Sequence, residues 1–215
     1  MQDLGKQRQE EISVIANTLE KYVSFSIGQL RFIDSFQFMS TSLEKLVNNL
    51  AAEGKDKFVN VREAFPDNTH QDLLLRKGVY PYDYMDDPAK FEDLELPSQD
   101  DFYSELYEQG ISDEDYQHAQ RVWEVFQCAN LGEYHDIYLK SDVLALADVF
   151  ENFRNVCMTT YRLDPAHYYT SPGLSWDAML KYTKVKLELI KDHDKYLMME
   201  KGLRGGVSVI SQKFA

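Results

Sequence analysis

Hydrophobic and polar positions change their period several times along this chain. Between Glu20 and Met39 apolar residues alternate with polar ones, first in KYVSFSIG and then in LRFIDSFQFM, on either side of a Gly-Gln step. β-Branched and aromatic residues at period two favour strands, and a break containing glycine favours a tight turn, so a β-hairpin is expected here. The period then becomes helical: STSLEKLVNNLAAEG opens with Ser and Thr, sets Leu43, Leu46, Val47 and Leu50 on one face, and stops at Gly54. From Phe58 to Leu96 the pattern breaks up. Pro66, Pro81, Pro88 and Pro97 punctuate short aromatic runs such as GVYPYDYM, which predicts mainly loop with a helical turn near Asn68 to Leu75.

Two longer helices follow. Ser112 stands three residues before Asp115, close to a capping box, and Tyr116, Ala119, Val122, Trp123 and Phe126 form one stripe, giving a helix over about 113–128. A second runs from about Tyr134 to Tyr161 with Ile137, Leu144, Ala147, Val149 and Phe150 inward, and the short LGE link predicts that the two pack antiparallel. SPGLSWDAMLKYT reads as a turn and a short helix. YLMMEKGLRGGVSVIS passes from helix through Gly202, Gly205 and Gly206 into a strand-like end.

At 215 residues the chain is long enough for one well-cored domain, and 44% hydrophobic with 27% charged residues is ordinary globular composition. A polar N-terminus and the lack of any run of eighteen apolar residues lead to the expectation of a soluble protein with neither secretion nor membrane insertion. Cys128 and Cys157 are unclustered and read as buried free thiols in a reducing, intracellular setting. A net charge of −13 opposes broad attraction to nucleic acid. Much of that excess is local: Asp83, Asp86, Asp87, Glu92, Asp93, Glu95, Asp100 and Asp101 face a lone Lys90, and the block reads as a solvated insertion.

Four places could carry chemistry. Tyr138 and Asp142 are four apart, hence on one helical face; a carboxylate can hold a divalent metal and a phenol can orient an attacking water, although the same spacing also describes a plain surface pair. Lys77 lies in a loop among aromatics, where a cation could neutralise a phosphate oxygen or simply rest its stem on Tyr80 or Tyr82. Ser42 and Leu43 begin a helix, which either only caps it or also offers backbone amides to a phosphate. Arg204, Gly205 and Gly206 form either a helix stop or a close backbone approach to a ligand with an arginine beside it. The histidines, His70, His118, His135, His167 and His193, show no metal-ligand spacing.

Taken in order, Ser42-Leu43-x-x-Leu46, Lys77-x-x-Tyr80, Tyr138-x-x-x-Asp142 and Arg204-Gly205-Gly206 resemble the protein-primed family B DNA polymerases, especially those of Polinton/Maverick-type transposons. RFIDSFQFMSTSLEKLV, YLKSDVLALADVFENFR and DPAHYYTSPGLSWDAMLK fit the same branch, and the resemblance covers nearly the whole chain. It implies that Tyr138 and Asp142 belong to the third 3′–5′ exonuclease motif, with Asp142 a ligand of catalytic Mg2+ or Mn2+ and Tyr138 placing the water. It further implies that Lys77 assists the same cleavage. Ser42 and Leu43 would bind the single-stranded primer end and a terminal protein, and Arg204, Gly205 and Gly206 would pass the primer between the exonuclease and polymerase sites.

Leu203 stands where the Gly-Gly motif has tyrosine, so only the backbone role of that motif is expected here. The first two exonuclease motifs and the polymerase motifs are not found. The implied fold is α/β, a partial ribonuclease-H-like exonuclease domain that is helix-rich in this chain. Residues 1–162 would be the rear of the exonuclease domain and 163–215 a bridge toward the polymerase palm. The expected function is DNA synthesis from dNTPs with proofreading in the intact enzyme, the chain alone being inactive and poorly stable. The alternative is a non-catalytic transposon-derived remnant or subunit that binds primer DNA or a terminal protein. A nuclear location follows only for a eukaryotic transposon.

Overall fold

The computed structural model describes residues 12–16, 18 and 22–203. Its front is an antiparallel meander of β1 (Ile12–Ala16), β2 (Tyr22–Ile27) and β3 (Leu30–Ile33) in the order β1-β2-β3. The hairpin expected around Gly28-Gln29 is present as β2 and β3. Gly28 takes φ 55°, a left-handed conformation that glycine adopts without the steric cost of a Cβ. Phe25 pairs with Phe32 across the ladder and their rings stack with centroids 4.4 Å apart. The hairpin is shorter than the alternation suggested. After Ile33 the carboxylate of Asp34 accepts from the Phe36 amide at 3.0 Å and turns Ser35–Gln37 into a 3-10 helix. Strand β1 is an addition to the sequence reading, with all five residues exposed.

Behind the sheet stand α1 (Leu43–Glu53), α2 (Val59–Ala64), α3 (Asn68–Leu74), α4 (Asp113–Phe126), α5 (Leu131–Tyr161), α6 (Ser171–Thr183) and α7 (His193–Gly202). One core gathers Val47 and Leu50 of α1, Phe58, Val61 and Phe65 around α2, Leu75, and Ala145 and Val149 of α5. A second gathers Leu73, Val79, Phe102, Val122, Leu131 and Tyr134. Phe126 joins them, packing against both and meeting Phe65 edge-on at 5.8 Å. Phe58 is fully buried, which is worth about 1.5–3 kcal/mol for such a side chain.

The Phe58 to Leu96 stretch is more ordered than its prolines suggested. Helix α2 has only six residues, too few to hold itself in water. It is held from outside: the buried carboxylate of Asp148, on α5, accepts from the Asn60 and Val61 amides at 2.9 and 3.0 Å and from Asn60 Nδ2 at 2.7 Å. A carboxylate at a helix N-terminus meets the unpaired amides of the first turn, and here it comes from far along the chain.

Helix α5 starts at Leu131 rather than near Tyr134, because Asn130 caps it through the Glu133 amide at 3.0 Å. Helices α4 and α5 meet through their side chains: Ala119 and Val122 share a core with Leu131 and Tyr134, and Trp123 stands against Tyr134 with ring centroids 6.0 Å apart. The backbone of α5 also borders α2, the Pro88–Glu92 turn and α1.

The acidic block is tied down by its own carboxylates. Asp87 accepts from Ala89 N at 2.8 Å, Asp93 from the Tyr84 hydroxyl at 2.7 Å, Asp101 from Ser98 N at 2.9 Å and Asp83 from Glu105 N at 2.8 Å. Lys90 lies 4.1 Å from the Tyr84 ring centroid and pairs with Asp86 at 2.7 Å. Cys128 and Cys157 are buried free thiols as expected, and burial pushes the Cys128 thiol up to about 11. Among the described residues no helix is long and apolar enough to cross a membrane. The strand expected over VSVIS lies outside the described residues.

Candidate functional site

The start of α1 and the loop after α3 converge beside α5. Ser42 is the N-cap of α1, its hydroxyl accepting from the Lys45 amide at 3.3 Å, and Leu43 is the first helical residue, packed against the first core. Lys77 lies in the loop that leaves α3; it is exposed and makes no ion pair among the described residues. Tyr138 and Asp142 project from successive turns of α5. A cleft of about 200 Å³ is lined by all five, together with Glu44, Arg76 and Gly78. Positions up to 100 apart in the sequence therefore share one concavity, while Arg204, Gly205 and Gly206 lie outside the described residues.

Tyr138 is the most constrained member. Its ring stacks on Tyr80 with centroids 4.8 Å apart and planes 22° from parallel, and meets Tyr82 nearly perpendicular at 6.1 Å. Its hydroxyl is 2.5 Å from the Tyr82 hydroxyl, while Tyr80 in turn bonds His135 Nδ1 at 2.7 Å. Burial first, then the Tyr82 hydrogen bond and the charge of Asp142, raise the phenol far above its ordinary range. Tyr138 therefore stays protonated and acts as a hydrogen-bond donor or acceptor rather than as a base.

Asp142 is half-buried. Burial raises its carboxyl above the usual carboxylate range, and the hydrogen bond from Tyr138 pulls it partly back. A carboxylate held in a poorly solvated place beside a neutral donor gains from a cation. Arg76 and Lys77 line the same cleft, so its local charge is not the strongly acidic one of the chain as a whole. Arg76 is fixed across the loop by Asp115 of α4, Nη2 to Oδ1 at 2.8 Å.

The described residues of the cleft do not by themselves supply the ligand set of a divalent metal. Among the described residues no group of three His, Cys, Asp or Glu could hold one. Two-metal phosphoryl chemistry needs several carboxylates around ions about 3.5–4 Å apart, and Asp142 with the exposed Glu44 falls short of that set.

Sequence reasoning missed Arg76, Gly78 and Tyr82 as members of the site. The aromatic density of GVYPYDYM was the available signal for Tyr82. The signal for Gly78 was its place next to Lys77, but what a glycine must accommodate is decided by a residue sixty positions away.

The chain matches, over residues 9–215, the model of the family described as DNA polymerase type B, organellar and viral. Neither the curated proteins nor the solved structures contain a match to it. Polymerases of this family are nucleotidyltransferases that act on DNA template and primer, and they use divalent metals and dNTPs. The match spans nearly the whole chain and includes every residue lining the cleft, so the chain belongs to the organellar and viral type B DNA polymerases.

Proposed function

We propose that this chain forms the rear part of a ribonuclease-H-like 3′–5′ proofreading exonuclease in a protein-primed family B DNA polymerase of the Polinton/Maverick type. The observation that supports this reading is the meeting of Ser42, Leu43, Lys77, Tyr138 and Asp142 in one cleft, although nothing local to any one of them requires it. Residues 1–162 would carry this exonuclease part and 163–215 the bridge toward the palm. The carboxylates that complete the site would come from outside the described residues.

In this role the start of α1 receives the single-stranded primer end, with Leu43 giving an apolar edge and the first-turn amides meeting backbone phosphate. Lys77, exposed and unpaired among the described residues, sits against the scissile phosphate and offsets the charge that builds as the bond to the leaving sugar oxygen breaks. The Tyr138 hydroxyl, held well above the ordinary phenol range by burial, orients a water molecule through a hydrogen bond. Asp142 supplies one negative charge to the site. Arg204, Gly205 and Gly206 would guide the primer toward the polymerase site.

The test is metal-dependent removal of a mismatched 3′ nucleotide by the intact polymerase, with and without Asp142→Ala. A loss on the order of a hundredfold or more is expected for a residue acting directly in the site. Unchanged excision removes Asp142 from the chemistry. A second reading is a non-catalytic subunit or remnant that binds primer DNA or a terminal protein through Ser42 and Leu43. It is favoured by the small carboxylate set among the described residues, and it requires that Ser42 and Leu43 variants weaken binding while Asp142→Ala changes nothing.

A further inference from the structure

Gly78 follows Lys77 at the point where the loop after α3 crosses α5. A Cβ placed on Gly78 would lie 2.6 Å from Cε2 and 2.7 Å from Cδ2 of Tyr138, far inside van der Waals contact. Its φ lies outside the left-handed region, so φ itself does not demand glycine there. The demand for glycine at this place is therefore steric and comes from one ring.

That ring has little freedom to yield. Tyr80 stacks on it at 4.8 Å, the Tyr82 hydroxyl holds its oxygen at 2.5 Å, and its own helix is tied to α2 through Asp148. Tyr80 and Tyr82 belong to the same loop as Gly78. The loop thus grips Tyr138 through two side chains and one bare stretch of backbone, and Lys77 is the residue next to that backbone.

We infer that Gly78 is a positioning residue for Tyr138: its missing side chain seats the Tyr138 ring and fixes the Tyr138 hydroxyl relative to Lys77. Any side chain at 78 pushes the ring and the loop apart, and so changes how Tyr138 and Lys77 stand in the cleft that both of them line. The consequence for excision rests on the proofreading role proposed above; the seating itself does not.

The experiment has two arms. In the first, the 215-residue chain is labelled with carbon-13 at tyrosine Cζ, and the Tyr138 resonance is identified as the one lost in Tyr138→Phe. Gly78→Ala is expected to shift that resonance and to lower the unfolding midpoint, and in a Tyr138→Ala background the same substitution is expected to have a much smaller effect on the midpoint. An unmoved Tyr138 resonance, or an equal loss of midpoint in both backgrounds, overturns the inference. The comparison of backgrounds also serves if Gly78→Ala alone fails to fold, because Gly78→Ala with Tyr138→Ala must then fold.

The second arm measures 3′ excision by the intact polymerase. Displacement of a positioned group by an ångström costs up to about a hundredfold, so Gly78→Ala is expected to lower excision roughly ten- to a hundredfold in kcat more than in KM. A shifted Tyr138 resonance with unchanged excision in both Gly78→Ala and Asp142→Ala leaves the seating intact and rejects the proofreading reading. Reduced excision in Asp142→Ala with an unmoved Tyr138 resonance in Gly78→Ala does the reverse.

Discussion

A single side chain here is often decided by a neighbour from another element. The Tyr138 to Asp142 relation is legible in the sequence, because residues four apart on a helix share a face. The tyrosine triad around it is not, since Tyr80 and Tyr82 arrive from a loop of irregular backbone. His118 is a second case. It shows no metal-ligand spacing, and the fold places it partly buried on α4 near Arg76. Burial, and then the Arg76 guanidinium, push its imidazole down to about 4 from an ordinary 6.5. The unfolded chain takes up a proton near 6.5 and the folded one only near 4, so the folded state loses stability as pH falls through that window. His118→Gln is expected to flatten the dependence of unfolding free energy on pH between 6.5 and 4. Urea titrations at a series of pH values would measure the slope, and an unchanged slope would exclude His118 as its source.

Whole elements divide in the same way. Helices α1 and α4 announce themselves by stripe and cap: Ser42 and Ser112 accept from the amides three residues on, at 3.3 and 3.1 Å, as the sequence led one to expect. Helix α2 does not, because its cap is Asp148. That aspartate lies on the long amphipathic α5 and reads locally as an ordinary polar residue, yet it is only 2% exposed. Removing a buried charged acceptor strands three donors, so Asp148→Ala is expected to destabilise the chain by about 3 kcal/mol. Asp148→Asn, which keeps an acceptor oxygen, is expected to cost less. Chemical denaturation of the two variants tests this; equal stability of Asp148→Ala and the parent would mean that α2 holds without its cap.

At the scale of the whole molecule, much apolar surface remains in contact with water. Ile12, Val14 and Ile15 of β1 are exposed, as are Leu139 and Val143, which stand one turn apart on α5 and flank Asp142. Trp176 and Tyr182 of α6 are exposed as well. Surfaces of this kind mark places where further protein packs or where chains associate. The isolated chain is accordingly expected to bind an apolar dye such as ANS more strongly than the intact polymerase does. Equal dye binding by the two would refute this.

The sequence by itself determined the hairpin around Gly28, the capped helices, the buried thiols and the ordered motifs that carry the family resemblance. These rest on local physics, namely period, capping chemistry and turn residues. Tertiary structure alone decided that α2 forms at all and that Ser42, Leu43, Lys77, Tyr138 and Asp142 line a single cleft. It also decided that Gly78 must be bare, since that requirement is imposed by a ring on another helix. The physical reason is common to all of these: each depends on a distance between residues remote in sequence, and local patterning carries no information about such distances until packing brings them together.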